Sequence, residues 1–592
     1  MTRPAGQPAP LRVRWLGGRV AYRDALALQH GLWEHGSDPW LLLLEHPHTY
    51  TLGVRADPAH VLIDPATVGA EAVRTDRGGD VTYHGPGQLV GYPIVDVPTG
   101  PGAVPGHVHA IEQLVIAALG DVGLHGAARL DGYPGVWLGV DGPRPRKIAA
   151  IGVRVSKGRS MHGFALNVAP DLAMFGHIVP CGITDKGVTS LAAEGVDVPL
   201  RAVVDAVVAR AAERWGAGGV ERHDVAWRVA TTDLSAFTRG EGPGAPVGPA
   251  DHGAGTLAAA RPQPVRLLGR LAEAGVDAAA GLAVDARKPD WLRVKARFDG
   301  GYRDIKRTVR DLGLVTVCEE AGCPNIYECW ADGTATFMVN GERCTRACGF
   351  CLVDTRKPLA ADPDEPARVA EAVVRMGLAH AVVTTVARDD LDDDGAGTIA
   401  ATVRAIHLAS PTTAVEVLIS DCRGHDASLD AIFTSHPEVL NHNLETVARL
   451  QRAVRPSASY ARSLSVLARA KRAGLTTKSG LIVGMGETVD EVHAALADLA
   501  GVGVDIVTVG QYLRPTSHHL PVARWWRPEE FAALAAVGRA LGIGHVEASP
   551  LTRSSYHARQ AAAAAAPAQG GVAGAEPVGA GAGAPAAAGS FA

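Results

Sequence analysis

At 592 residues the chain is long enough for three or four average domains, or for two large ones. Its 57 basic and 62 acidic residues give a formal net charge of −5, so no basic excess points to nucleic acid as a partner. No run of about 18 strongly apolar residues offers a membrane span, and MTRPAGQPAP lacks the apolar core of an export signal. These features predict a cytoplasmic protein, without membrane association, whose eight cysteines serve metal or catalytic chemistry rather than disulfides.

In chain order, residues 1–10 form a Pro/Ala-rich, disordered start. Residues 11–239 mix strands and helices. WLLLLEH (Trp40 to His46) reads as a buried strand. HAIEQLVIAALGDVGL places Ile111, Leu114, Val115, Ala118 and Leu119 on one helix face before a glycine stop. GVWLGV, AAIGVRV and FALNV then read as strands, and such adjacent runs predict an α+β domain. Residues 240–286 collapse into Gly, Pro and Ala and predict a linker, with a short helix inside RLLGRLAEAGVDAAAGLAV. A linker of about 45 flexible residues spans about 35–40 Å root mean square. It is expected to let a small carrier domain swing between two sites and to raise local concentration.

A second unit is expected over 287–557. AVVTTV, AVEVLIS, SGLIVGMG, DIVTVGQYL and HVEASP read as strands alternating with helical stretches such as DEVHAALADLAGVG. Repeated βα units predict an α/β parallel sheet, open or curled into a full or partial barrel, with its active site at the C-terminal strand ends. Asp392, Asp393 and Asp394 read as a solvated acidic loop, and the Ala/Gly tail, 558–592, as disordered.

The first unit holds a glycine-rich stretch, RGGDVTYHGPGQLVGYPI, from Arg77 to Ile94. Alone it is as consistent with an ordinary turn as with a ligand loop. KIAAIGV carries Lys147, MHGFALNV carries His162 and Asn167, and PCGITDKGVTSL carries Cys181. A lone cysteine is more often a small buried hydrophobe than a nucleophile. Cys181, however, stands between proline and glycine in a polar loop. Together these motifs resemble the octanoyltransferases of lipoate biosynthesis, related in fold to the biotin and lipoate protein ligases. The resemblance implies acyl transfer from octanoyl-acyl carrier protein to a lysine of a lipoyl-carrier domain. By that likeness Cys181 takes the acyl group as a thioester and Lys147 is its partner, consistent with a nearby ammonium lowering a thiol's pKa. Arg77, Gly78, Gly79, Asp80, Val81, Thr82, Tyr83 and His84 would line the acyl tunnel with Ala150, Ile151, Gly152, Gly163, Phe164 and Ala165.

Six cysteines stand in two groups: Cys318, Cys323 and Cys329, then Cys344, Cys348 and Cys351. Soft thiolates at such spacing select zinc or iron–sulfur clusters. Three thiols per group with no nearby histidine fit two cubane clusters, each short of one protein thiolate, better than four-ligand zinc. Cys344-x3-Cys348-x2-Cys351 ahead of a βα series resembles the radical S-adenosylmethionine enzymes. There the open iron binds S-adenosyl-L-methionine, whose reductive cleavage gives a 5′-deoxyadenosyl radical.

Cys318-x4-Cys323-x5-Cys329, VARDDL, NHNLET, KSGLIVGMGET, QYLRP and RSSY narrow the resemblance to lipoyl synthase. It implies a second 4Fe–4S cluster, with Ser555 as its fourth ligand, consumed as the sulfur donor for C6 and C8 of the octanoyl chain. Without that context Ser555 reads as a turn or helix cap. One departure is VLISDC, with Ser420 and Cys422, where the family usually reads VLIPDF. Cys422 reads as a strand-end core residue.

The combined expectation is a bifunctional enzyme. An α+β ligase-like domain is followed by a partial (β/α) barrel of the radical S-adenosylmethionine type. The implied partners are octanoyl-acyl carrier protein, lipoyl domains of 2-oxoacid dehydrogenases, the glycine cleavage H protein and an electron donor such as ferredoxin or flavodoxin. Two alternatives stand beside it: one half inactive and serving as a carrier-docking module, or a zinc-stapled scaffold.

Overall fold

The structure is a computed structural model. It describes residues 7–180, 186–226, 269–277, 280–283, 286–293, 300–316, 325–326, 329 and 334–565. Cys181, Cys318 and Cys323 lie outside the described residues, as do most of the expected start, linker and tail.

The first unit opens with β1 (Leu11–Trp15), α1 (Tyr22–His35), β2 (Trp40–Leu44), β3 (Thr49–Leu52) and β4 (Glu71–Arg74). It continues with β5 (Val81–His84), β6 (Gln88–Ile94), α2 (Ala103–Asp121), β7 (Ala128–Leu130) and β8 (Tyr133–Leu138). β9 (Arg146–Ser156), β10 (Arg159–Asn167), β11 (Gly187–Val188), α3 (Leu200–Trp215) and β12 (Val220–Asp224) complete it. One sheet has the order β12-β1-β2-β6-β10-β9-β8-β7 with β11 beside β9, and a second has the order β4-β3-β5. β1 pairs in parallel with β2 and β12, whereas β2, β6, β10, β9 and β8 are successively antiparallel. WLLLL is apolar throughout because both of its faces are covered. Leu41 and Leu43 enter the core under α2 and α3, while Trp40, Leu42 and Leu44 face Leu28 and Leu32 of α1.

The second unit contains α4 (Gly300–Asp311), β13 (Val315–Thr316), β14 (Thr334–Val339), α5 (Glu365–Met376), β15 (His380–Thr385) and α6 (Ala396–Ala409). Then come β16 (Ala414–Leu418), α7 (Asp426–Phe433), β17 (Val439–Asn441), α8 (Tyr460–Arg472) and β18 (Thr476–Val483). The last elements are α9 (Val489–Gly501), β19 (Ile506–Gln511), α10 (Pro528–Ala540), β20 (His545–Ala548) and α11 (Ala558–Ala565). β14 to β20 lie side by side in chain order, each parallel to the next, with β13 antiparallel at one edge. Helical crossovers between sequential parallel strands curl such a sheet in one sense. Among the described residues β20 pairs only with β19, so the curl is a partial barrel.

Three expectations need correction. The C-terminal part of the 240–286 stretch is not loose: Leu271 and Ala274 are buried, and Leu282 bridges to Val522. The 558–592 tail begins as α11, with Ala558 and Ala561 buried. Asp394 is buried rather than solvated, because Arg423, His425 and Ser428 surround its carboxylate.

The two units also share a core. α1 lies between the first sheet and the pair α8 and α9, so Leu28 and Leu32 belong to one apolar cluster with Leu464, Ala468, Leu499 and Val502. Gly31 makes this approach possible, since a Cβ there would sit 3.0 Å from the Ala468 Cβ and 3.2 Å from the Val502 Cβ. Charges cross the seam as well. Arg14 Nε donates to Asp498 at 2.8 and 3.1 Å, and both side chains are buried. Asp24 accepts from Arg462, Ser465 and Arg469 of α8 at 3.1, 3.1 and 3.0 Å.

Candidate active sites

In the first unit, Arg77 fastens the glycine-rich loop to β3. Its guanidinium donates to Thr51 Oγ1 and Thr51 O at 3.1 and 2.6 Å, and to Asp80 O at 2.7 Å. Gly78 N–H donates to Val153 O at 3.0 Å, and Gly79 has φ +92°, a left-handed turn that favours glycine. The preceding carboxylate, Asp76, accepts from the Nε2–H of buried His162 at 2.7 Å. That hydrogen bond holds Asp76 well below the usual carboxylate range, while burial keeps His162 neutral.

Period-two alternation sorts the expected tunnel residues. Thr82, Ala150 and Ala165 line a small pocket of about 20 Å³ with Lys147, Gln88 and Asn167. Val81 and Tyr83 point instead into a cluster with Tyr50 and Phe175. Phe164 enters the core under α2 with Ile151 packed against it, and Gly163 meets Gly91 of β6, where a Cβ would fall 2.2 Å from Gly91 O. Gly152 pairs opposite Gly163, and His84 is buried with Nδ1 bonded to Gln88 Oε1 at 2.9 Å.

Lys147 Nζ lies 4.7 Å from the centre of the Trp137 ring, and Thr189 N–H donates to Lys147 O at 3.0 Å. Pro180 and Val188, which flank the undescribed segment bearing Cys181, both line the Lys147 pocket. Asn167 was noted in MHGFALNV without a role, whereas Gln88 was not singled out from the sequence. Gln88 Nε2 donates to Asn167 Oδ1 at 2.9 Å, and Asn167 Nδ2 donates to Thr189 O at 2.9 Å. The sequence signal of Gln88 is a polar residue opening the apolar stretch QLVGYPI.

In the second unit a cavity of about 750 Å³ opens at the C-terminal strand ends. That size suits a cofactor plus substrate. Thr336 and Met338 of β14, Thr384 of β15, Leu418 of β16, Gly480 of β18 and Thr508 of β19 form its wall. Cys344, Cys348 and Cys351 enter from the loop after β14, and Cys329, Ser554 and Ser555 from the two ends of the unit. Asn325 Nδ2 donates to Leu551 O at 2.7 Å, which ties those ends together.

The three-cysteine loop is pinned on several sides. Cys344 Sγ accepts from the N–H groups of Arg346 and Ala387, each at 3.4 Å. Gly349 N–H donates to Val454 O at 2.8 Å, and Gly349 O accepts from Leu520 N–H at 3.0 Å. Burial pushes the Cys348 thiol up and that of Cys351 up to about 12. A bound metal ion favours the thiolate form of such half-buried thiols. Nearby, buried Asn443 Oδ1 has no hydrogen-bond partner among the described residues, while Asn443 Nδ2 donates to Glu445 Oε1 at 3.0 Å. Burial raises the Glu445 carboxyl, and Arg455 Nη1 donates to Asn443 O at 3.0 Å. A cavity walled by soft donors, with the polar side chains of Asn443, Glu445 and Arg455 beside them, fits an iron–sulfur cluster with a polar ligand on it. NHNLET was noted as a motif, but the structure adds that Asn443 and Glu445 face the cavity, with Arg455 behind them. Cys422 is buried away from the cavity, its thiol pushed up to about 12 by burial.

Residues 21–212 match the lipoyl protein ligase A/B catalytic domain, and residues 338–499 match the radical SAM superfamily. The lipoyl synthase of Mycobacterium avium is 56% identical over 282 residues, covering 47% of this chain and 92% of that protein. The lipoyl synthase of Kineococcus radiotolerans is 54% identical over 272 residues, covering 46% of this chain and 82% of its own length. Among solved structures, the bipartite lipoate protein ligase studied with its E2 lipoyl domain from Thermoplasma acidophilum has a TM-score of 0.31 at 20% identity. It covers 37% of this chain and 88% of that one. A methylornithine synthase has a TM-score of 0.29 at 13% identity, covering 45% of this chain and 83% of its own.

The fold and the domain matches therefore define an enzyme in which a lipoate-ligase-like catalytic domain precedes a radical S-adenosylmethionine domain. Through its second half the chain belongs to the lipoyl synthase family. Lipoate biosynthesis, with S-adenosylmethionine and iron–sulfur chemistry, follows from that membership. Among the described residues no helix is long and apolar enough to cross a membrane.

Proposed function

We propose that the chain performs two consecutive steps on one carrier lysine. The first unit transfers octanoyl from octanoyl-acyl carrier protein to a lysine of a lipoyl domain or H protein. The second inserts sulfur at C6 and C8 of that chain. The observation that supports this reading is that Cys329, Ser555, Cys344, Cys348 and Cys351 all line one cavity.

At the first site the Cys181 thiolate attacks the acyl thioester carbonyl. A new C–S bond forms, the carrier's thiolate leaves, and the Lys147 ammonium protonates it. The acceptor lysine's amine then attacks the Cys181 thioester, Lys147 takes the amine proton, and Cys181 leaves as thiolate. Gln88 and Asn167 hold the segment after Cys181 against β10.

At the second site Cys344, Cys348 and Cys351 hold one 4Fe–4S cluster, and Cys318, Cys323, Cys329 and Ser555 hold the other. When bound, a cluster with S-adenosylmethionine supplies a radical able to take hydrogen from an unactivated methylene, which acid–base groups cannot do. Asn443, Glu445 and Arg455 offer polar contacts to the amino-acid part of that cofactor. Met338, Leu481 and Tyr512 give the acyl chain an apolar wall that keeps out water.

The test is protein prepared without oxygen, assayed for iron, sulfide and S-adenosylmethionine cleavage, then given octanoyl-acyl carrier protein, a lipoyl domain and a flavodoxin-type reductant. About eight irons per chain are expected, with octanoylated and then lipoylated carrier by mass spectrometry. Colourless protein containing zinc would overturn the cluster assignment. A Cys181→Ser chain that still octanoylates the carrier would overturn the first step.

A further inference from the structure

An unbroken line of alternating charges runs from helix α1 of the first unit to the three-cysteine loop of the second. Asp24, 2% exposed, accepts from Arg462 Nε at 3.1 Å and from Arg469 Nη2 at 3.0 Å. Arg462 Nη1 lies 3.8 Å from Asp421 Oδ2, an oxygen that accepts no hydrogen bond from the described residues. Asp421 is fully buried, and its Oδ1 lies 2.7 Å from Arg346 Nη2. Arg346 stands between Cys344 and Cys348, is clamped on its other side by Asp389 at 2.7 and 2.8 Å, and gives its N–H to Cys344 Sγ.

We infer that Asp24, on the transferase side, is a positioning residue for the cluster loop of the synthase side, acting through Arg462 and Asp421 on Arg346. This rests on reading Cys344, Cys348 and Cys351 as cluster ligands.

Two buried carboxylates, Asp24 and Asp421, compete for one half-buried guanidinium, and solvent and salt screen such partly buried pairs less than exposed ones. Arg462 is shared between two carboxylates, and the closer one, Asp24, holds it back from Asp421. Without the Asp24 charge, Arg462 closes on the unbonded oxygen of Asp421 and competes with Arg346 for that carboxylate. Arg346 then leans on Asp389 alone, and the N–H that it gives to Cys344 moves with it. A group that orients a ligand loop in this way acts on cofactor affinity, typically by 10–100-fold. The transferase pocket shares none of these side chains, so its reaction is unaffected.

The experiment uses the full chain, prepared without oxygen. Asp24→Asn is compared with Asp24→Glu and with Glu34→Gln. Glu34 faces Arg472 at 3.6 Å across the same seam, apart from the charge line. Electron paramagnetic resonance of the reduced protein with S-adenosylmethionine reads the cluster, alongside KM and kcat for that cofactor. In Asp24→Asn the cofactor-dependent signal is expected to shift and KM to rise about tenfold, with octanoyl transfer unchanged. Asp24→Glu should restore most of both, and Glu34→Gln should match the parent. If Asp24→Asn does not accumulate, Asp24→Ser, which also removes the carboxylate and leaves Arg462 intact, should show the same shift. A parental signal and KM in the variants that fold would overturn the inference, as would an equal change in Glu34→Gln. A parent protein without iron would instead overturn the cluster reading on which the inference rests.

Discussion

The Arg14 and Asp498 pair offers a direct measure of how firmly the two units are joined. Arg14 sits on β1 with a side chain 2% exposed, and Asp498 on α9 with one 3% exposed. Arg14→Met leaves Asp498 buried, with the Tyr460 hydroxyl, at 2.7 Å, as its remaining hydrogen-bond donor. Removing one partner of a buried ion pair costs about 3–5 kcal/mol, mostly from the stranded charge. The share of the cost due to Asp498 falls on the seam, because those partners belong to different units, while Glu221, the other partner of Arg14, keeps Arg12 within the first unit. With a protease site placed in the 240–264 stretch, the cut parental halves should still travel together in gel filtration. The Arg14→Met halves should dissociate, with affinity lower by roughly 10² to 10³-fold or more. Adding Asp498→Asn removes the stranded charge and should recover about 1–3 kcal/mol, the remainder being an imperfectly bonded amide. An Arg14→Met chain within about 1 kcal/mol of the parent, or a double variant no better than the single, would refute the reasoning.

Ser555→Ala should lower iron by about four per chain and abolish sulfur insertion, while S-adenosylmethionine cleavage continues at the other cluster; unchanged iron would remove Ser555 from the ligand set. Buried His46, His107 and His442 each have pKa values lowered to about 4, first of all by loss of hydration. Between about pH 6.5 and 4 the unfolded chain binds protons that these folded imidazoles refuse, so stability is full above that window and falls as pH drops through it. Each contributes a slope of up to about 1.4 kcal/mol per pH unit, checked by urea midpoints across pH. His46→Gln should flatten the slope by one such share, and an unchanged profile would count against it.

Much of this architecture is legible in the residues, for a physical reason. WLLLL, AVVTTV and DIVTVGQYL are strands whose faces are both covered, and continuous apolarity is the mark of that burial. The reach from Cys329 to Ser555 was legible only through motif resemblance, because spacing carries no information about contacts more than 200 positions apart. The seam was not legible at all. On α1, YRDALALQHGLWEH presents Asp24, Ala27 and Gly31 away from its own sheet. Such a polar, small-residue face reads as solvated until α8 supplies Arg462 and Arg469 and the residue just after α9, Val502, packs against Gly31. Asp394 misled for the same reason: its partners Arg423 and His425 come from the loop after β16. In the tunnel, an unbroken run from Gly163 to Ala165 could not all face the pocket, since alternate strand residues point to opposite faces.

Docking also changes what the fusion can do for its intermediate. A loose linker would let each unit reach in turn for one bound carrier. With α1 packed on both sides and Leu271 and Ala274 anchored in the shared core, neither unit is free to swing, so the moving part has to be the carrier. On the proposed function, a lipoyl domain would have to release from the first pocket before its lysine enters the second cavity, and released carrier would mix with the bulk. Labelled octanoyl-carrier formed in place, chased with excess unlabelled octanoyl-carrier, should give lipoylated product at the bulk isotope ratio. Cutting the linker should leave that ratio and the level of free intermediate unchanged, because the seam still holds the halves together. Product enriched in label above the bulk ratio would mean that the carrier stays bound between steps, and a fall in that enrichment on cutting would return the role of tether to the linker.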